Sequence, residues 1–319
     1  MKILSEFLKI AAALALTSLC AGAQTQACST NGCGTLTSDC TTSAAIIVGD
    51  GCTLNGNHHL ITVVDPPSGS FSGPVITNAS GASTATVENV IVDTPNLKGC
   101  ATVYGILFSG VSGTISGSTL LHIDTPACPG IGIGIKLANV STNTSNLAVK
   151  LTANQVLVPT ASALFVDGSQ SQNGSTVVLN ASGNEFSAGG SEESAPDAVF
   201  LFQAGGTISN NRIETDASGH GIAVLVDESP TQVKVVNNNI NLINGNASVG
   251  IDMASDHAVI SGNRVFNDGA NNSTATGILN QGNGNPLANK VTNNEVACYG
   301  TAWSGPVGNG NVALSCPWP

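Results

Sequence analysis

Hydrophobic and polar positions alternate along most of this chain, and the alternation breaks at regular intervals. The stretch "GHGIAVLVDESPTQVKVVNNNINLINGNASVGIDM" holds one full period. Within it, "GIAVLV", "QVKVV" and "NINLI" each alternate with period two, as half-buried strands do. A Gly-Ile, or Ala-Leu, pair opens the first strand of each unit. It stands at Gly105-Ile106, Gly134-Ile135, Ala163-Leu164, Gly221-Ile222, Gly250-Ile251 and Gly277-Ile278, in steps of 29, 29, 58, 29 and 27. The double step contains a further strand, Ala198 to Phe202.

A second landmark is an Asn one or two places before an apolar residue. It occurs at Asn154, Asn184, Asn211, Asn239, Asn263 and Asn294, in steps of 30, 27, 28, 24 and 31. Two landmarks sharing a period near 28 predict a solenoid. Three short strands separated by bends make one triangular coil, and coils stack in parallel about 4.8 Å apart. Alternate Ile, Val and Leu then point inward, with Ile222 among them, and the Asn amides stack as a ladder at the bend between the second and third strands. Asn tolerates the left-handed backbone such a bend needs. Residues 45 to 300 have room for roughly nine coils. No linker divides them, so one domain is expected over 24–319, with an N-terminal cap at 24–52 and a C-terminal cap at 298–319. A β-sandwich is the competing fold, but it does not predict the regular Asn.

The start reads as an export signal over 1–23. Lys2 and Lys9 precede an apolar run from Ile10 to Leu19, and Ala21-Gly22-Ala23 forms a small-residue cleavage site, which puts the mature N-terminus at Gln24. The run is too short to span a bilayer. A lipid-modified Cys20 would want a small residue where Leu19 stands. The expected location is therefore secreted, extracellular or periplasmic, with no membrane insertion. Eight of the nine cysteines remain after cleavage, an even count that suits disulfides in an exported chain. Cys100 with Cys128 and Cys298 with Cys316 are the expected local pairs. Three pairings stay open for Cys28, Cys33, Cys40 and Cys52.

The formal net charge is -11. Removal of Lys2, Lys9 and Glu6 takes it to 7 basic minus 19 acidic, or -12. Such a surface does not attract nucleic acid or an anionic membrane. It repels polyanions too, unless a cation bridges them.

The "GNRV" and "NNRI" turns, the "GIxV"-type strands and the segment "DGCTLNGNHHLITVVDP" (50–66) resemble the right-handed parallel β-helix repeat proteins of the pectin-lyase-like superfamily. The resemblance covers residues 45 to 300. It implies an all-β, single-stranded right-handed solenoid with disulfide-braced ends, acting on a polysaccharide or cell-surface glycan. Relatives include lyases, glycosidases, esterases and adhesins, so fold alone does not select a chemistry.

The family's polygalacturonase pattern combines Asn-Thr-Asp, Asp-Asp, Gly-His-Gly and Arg-Ile-Lys on successive coils. Here only Gly219-His220-Gly221 is present, and no Asp-Asp occurs. His220 is thus expected at a solvent-facing bend. A lyase needs a base, and a cation such as calcium beside acidic groups; a hydrolase needs no cofactor. Lys136, Asp167, Asp227 and Asp252 are the candidate catalytic residues: counting from the strand openings sets Lys136, Asp167 and Asp252 outward, and Asp227, with Glu228, follows the intervening strand. No metal ligands are assigned. His58, His59 and Asp65, and His122 with Asp124, are further acid–base candidates. Ala198 to Phe202 is apolar at five consecutive positions, so one set must face out. The preceding loop "SAGGSEESAP" is the first expected cover for it; a partner subunit or a sugar ring are the alternatives, and a sugar platform needs Phe200 and Phe202 outward. The alternative function is a non-catalytic scaffold or adhesin-like β-solenoid, supported by the absence of a complete catalytic set.

Overall fold

The computed structural model describes residues 26–29, 31–123, 132–159, 162–169, 174–190, 197–217, 221–243, 248–268 and 272–316. Three parallel sheets wrap one core. Sheet I has ten strands, from Ile46–Val48 to Thr301–Ser304. Sheet II has ten, from Gly34–Thr35 to Lys290–Thr292. Sheet III has twelve, from Gln26–Ala27 to Val312–Leu314. The chain visits sheets I, II and III in turn, and this triplet repeats nine times between Ile46 and Ala297. The result is the parallel β-helix expected from the repeat. The described residues contain two short 3-10 turns and no α-helix.

Register explains the repeat. On sheet I, Ile46, Ile76, Ile106, Ile135, Leu164, Val199, Val224, Ile251 and Ile278 align strand to strand, and the file ends on Trp303. All but Trp303 are fully buried. Burying each such side chain contributes about 1.5–3 kcal/mol. From Ile76 to Ile278 the residue before each is also buried, giving two consecutive buried positions in the strand. That first position is Gly or Ala in every coil from Gly105 to Gly277. A Cβ at Gly250 would meet Val265 Cγ1 at 2.4 Å, and one at Gly277 would meet Val296 Cγ1 at 2.3 Å.

This pair corrects the sequence landmark in one coil. The inward pair is Ala223-Val224, and Ile222 lies outward and half-buried, aligned with Asp197 and Val249. The Gly221-Ile222 spelling imitates the landmark two residues early. His220 lies outside the described residues.

The Asn ladder occupies the bend between sheets II and III. Asn154, Asn184, Asn211, Asn238, Asn263, Asn294 and Asn311 form a continuous chain of amides. Each Oδ1 from Asn184 onward accepts both the backbone N–H and the Nδ2 of the preceding Asn, as Asn184 does at 3.0 and 2.9 Å. Each Nδ2 also donates to a carbonyl at the end of sheet II, such as Asn184 to Leu151 at 3.0 Å. The rung in the seventh coil is therefore Asn238, not Asn239, which is exposed. The ladder residue lies two places before the first inward apolar side chain throughout, and Asn238 keeps that spacing to Ile240. The left-handed residue is the one before the rung: Ala153, Gly183, Asn210, Asn237, Gly262 or Asn293.

Two disulfides, Cys28–Cys40 and Cys33–Cys52, brace the N-terminal end. Cys100 is disulfide-bonded, and its expected partner Cys128 lies outside the described residues. At the other end Cys298 and Cys316 adjoin as hydrogen-bonded thiols rather than the expected disulfide. Proximity in sequence identified the neighbours, but it does not fix their covalent state. The proposed export signal also lies outside the described residues.

Candidate functional site

The outer face of sheet I carries the chemistry. Outward positions fall at fixed places in each strand, so side chains from successive coils line up in files about 4.8 Å apart. In the central file stand Leu107, Lys136, Phe165, Phe200, Leu225, Asp252 and Leu279. In the next stand Ala138, Asp167, Phe202, Asp227 and Ala254. Phe200 and Phe202 both face outward, which settles the parity of the apolar segment that carries them.

The aromatics form a strip. Phe165 stacks on Phe200, with ring centroids 5.1 Å apart and planes 22° apart. Phe202 lies 6.1 Å from Phe200, tilted at 48°. Lys136 Nζ sits 5.0 Å from the centre of the Phe165 ring and 5.5 Å from that of Tyr104. The ammonium is thus held over two aromatic faces by cation–π attraction. Asp167 Oδ1 accepts from the Ser169 backbone N–H at 3.0 Å and from its hydroxyl at 2.5 Å.

Three carboxylates lie at and beyond the end of the strip, on successive coils. Asp252 is buried, and accepts from Gln281 Nε2 at 2.9 Å. Asp197 opens the strand that carries Phe200 and Phe202. Burial pushes its carboxyl up to about 7 from an ordinary 3.8, and repulsion from Asp252 adds to the rise. Asp252 is raised by burial and by the charge of Asp227, against the Gln281 bond. Asp227 is raised by desolvation and by Glu228. Three acids that each disfavour ionisation of a neighbour are a means of holding a proton near neutral pH.

Of the four residues singled out from sequence, Asp227 and Asp252 thus come together at one end of the face. Lys136 lies four coils from Asp252, roughly 19 Å along the axis. Asp167 lies between, two coils from Asp227. Asp197 was missed because the polar segment before it reads as a loop. The usable signal was alignment of "DAVFLF" with "SALFVD" and "IAVLVD", which sets Asp197 at the first outward position.

The other acid–base candidates pair differently from the sequence expectation. His59 Nδ1 lies 3.3 Å from Asp39, and Asp65 accepts from the Phe71 and Lys98 backbone N–H groups. His122 Nδ1 lies 2.9 Å from Asp93, and Asp124 lies outside the described residues. Stacking coils supply partners from the preceding turn of chain, which sequence adjacency does not show. Among the described residues, no group of three or more His, Cys, Asp or Glu side chains is arranged to hold a metal ion.

Fold and face together define a parallel β-helix repeat protein with an aromatic, acid-ended outer sheet. No family model matches the chain, and no curated protein matches it. Among solved structures it is similar to the Azotobacter vinelandii mannuronan C-5 epimerase AlgE4 A-module, at 12% identity and a TM-score of 0.44, over 88% of this chain and 89% of that one. It is also similar to the Dettilon tailspike protein, at 12% identity and a TM-score of 0.41, over 86% of this chain and 59% of that one.

Proposed function

We propose that the protein is an exported polysaccharide hydrolase whose substrate lies along the outer face of sheet I. The observation that carries this reading is the strip Tyr104, Phe165, Phe200 and Phe202 running into the carboxylates Asp197, Asp227 and Asp252. Aromatic faces bind the apolar faces of sugar rings, and the file geometry suits an extended chain. Lys136 and Asp167 line the strip and hydrogen-bond hydroxyls. At the acidic end Asp197, whose raised carboxyl still holds a proton in part of the molecules near neutral pH, donates its proton to the glycosidic oxygen as that bond breaks. Asp252 takes a proton from the water that attacks the anomeric carbon, with Asp227 holding its charge balance. Two carboxyl groups in opposite protonation states are what glycoside hydrolysis requires. Disulfides support an oxidising, extracellular or periplasmic location. A lyase mechanism has less support, because Lys136 stands far from the acids beside which a calcium ion would bridge an anionic substrate.

The test is a panel of neutral and acidic polysaccharides, scored for binding and for release of reducing ends. Phe200→Ala should weaken binding about tenfold, equivalent to ~1.4 kcal/mol. Asp197→Asn should bind normally and lose cleavage by roughly 10²–10⁴-fold. Binding that depends on Phe200 without any cleavage by wild type would favour the adhesin-like scaffold instead. Cleavage that survives Asp197→Asn would remove Asp197 from the acid role.

A further inference from the structure

The outer face of sheet III carries a second and chemically different surface. Glu185, Arg212, Asn239, Arg264 and Glu295 align on five successive strands. In the adjoining file stand Ser187, Glu214, Asn241, Phe266 and Ala297. Arg212 and Arg264 are the two arginines of the chain. With Glu214, Asn239, Asn241 and Phe266 they surround a depression of about 290 Å³. That is close to the lower bound of about 300 Å³ for small-ligand sites.

Neighbouring carboxylates hold both guanidiniums in place. Arg212 donates from Nη1 to Glu185 at 2.9 Å and from Nη2 to Glu214 at 3.0 Å. Arg264 donates from Nε to Glu295 at 3.2 Å, and among the described residues its two Nη groups have no protein acceptor. Phe266 is half-buried on the outward side of its strand. Asn241 Oδ1 is buried without a hydrogen-bond partner among the described residues, an unfavourable state that a donor reaching it relieves. An aromatic floor ringed by planar donors, amides and carboxylate acceptors matches the two faces of a sugar ring, one apolar and the other lined with hydroxyls. The charge count selects among sugars. Two guanidiniums stand against Glu185, Glu214 and Glu295, which leaves the wall at 2 minus 3, or -1. A uronate or phosphate gains nothing from cations already neutralised, whereas a neutral ring finds both donors and acceptors.

We propose that this depression is a separate, non-catalytic binding site for one neutral sugar ring of a polysaccharide. Phe266 stacks under the ring. Arg264 and the Asn239 and Asn241 amides take its hydroxyls. The site lies on a different sheet from the aromatic strip and stands or falls independently of the hydrolase reading. With both surfaces occupied, the protein holds two chains, or two segments of one chain, around its circumference.

The experiment uses the full chain carrying Phe200→Ala, which weakens binding on the strip. Hexasaccharides of β-1,4-glucan, β-1,4-mannan and α-1,4-glucan are titrated by calorimetry and saturation-transfer NMR, with a galacturonic hexasaccharide as the anionic control. At least one neutral probe should bind. Adding Phe266→Ala should weaken it at least tenfold, and Phe266→Tyr should leave it within about twofold. If Phe266→Ala does not fold, Arg264→Gln gives the same reading, since the Arg264 side chain is 68% exposed. No neutral binding in the Phe200→Ala background, no response to Phe266→Ala or Arg264→Gln, or binding of the uronate probe alone would each overturn the proposal. Absence of strip binding in the chain with Phe200 intact, with this site retained, would instead count against the hydrolase reading alone.

Discussion

Asn238 donates to the carbonyls of Ile208 and Val236 and to Asn263 Oδ1, and its own Oδ1 accepts twice from Asn211. Asn239, one place on, faces solvent. Asn238→Ala should therefore cost on the order of 1–3 kcal/mol beyond Asn239→Ala, because it leaves buried partners unsatisfied. Denaturant midpoints measure the difference, and equal midpoints would contradict the rung assignment. Asp197 supplies a pH dependence. Its folded pKa of about 7 lies above its ordinary 3.8. Between those values the folded state holds a proton that the unfolded state has lost. Stability therefore falls as pH rises from about 4 to 7, by an amount on the order of a few kcal/mol. Below about 4 both states are protonated, and above 7 both are ionised. The raised Asp227 and Asp252 act in the same direction. Thermal midpoints should decline from pH 5 to 8 in wild type and much less in Asp197→Asn. Parallel profiles would refute the assignment.

From Gly105 to Gly277 each sheet I strand places two consecutive residues inward before alternation resumes. The first is Gly or Ala, and at the glycines the space where a side chain would stand is filled by core side chains and the next coil's backbone. The second fills the axis. Ile251 is such a second residue, fully buried, whereas Ile222 projects outward. Ile251→Ala should cost roughly 2–5 kcal/mol through a core cavity, and Ile222→Ala less than half of that. Chemical denaturation of the two variants tests the parity directly. A larger loss for Ile222 would restore the inward reading that the Gly221-Ile222 spelling suggests.

Across the whole molecule the two ends are finished differently. Disulfides tie the first strands together. At the far end, sheets I and III extend past the last full coil by Thr301–Ser304 and Val312–Leu314. Cys298 is buried beside Cys316, and burial, then the hydrogen bond and charge of Cys316, push its thiol up to about 12. At pH 8 it is almost wholly protonated, so iodoacetamide should label Cys298 far more slowly than an unfolded-chain cysteine. Mass-spectrometric labelling in native and denaturing buffer measures the ratio. Equal rates would show that this end opens.

The sequence by itself determined the repeat, the sheet class, the outward positions of Lys136, Asp167 and Asp252, and five of the six rungs named, because period-two alternation and a near-constant coil length are local properties. It did not determine which of two adjacent asparagines is the rung, or that Ala223-Val224 rather than Gly221-Ile222 is the inward pair. Both depend on where a strand begins, and that is fixed by the neighbouring coil. The grouping of Asp197 with Asp227 and Asp252, and the stacking of Phe165 on Phe200, arise between residues 25 to 55 positions apart. Only the tertiary structure decided them, because loops of unequal length between coils set which side chains share a file. The same inter-coil register pairs His59 with Asp39 and His122 with Asp93, and a linear reading has no access to it.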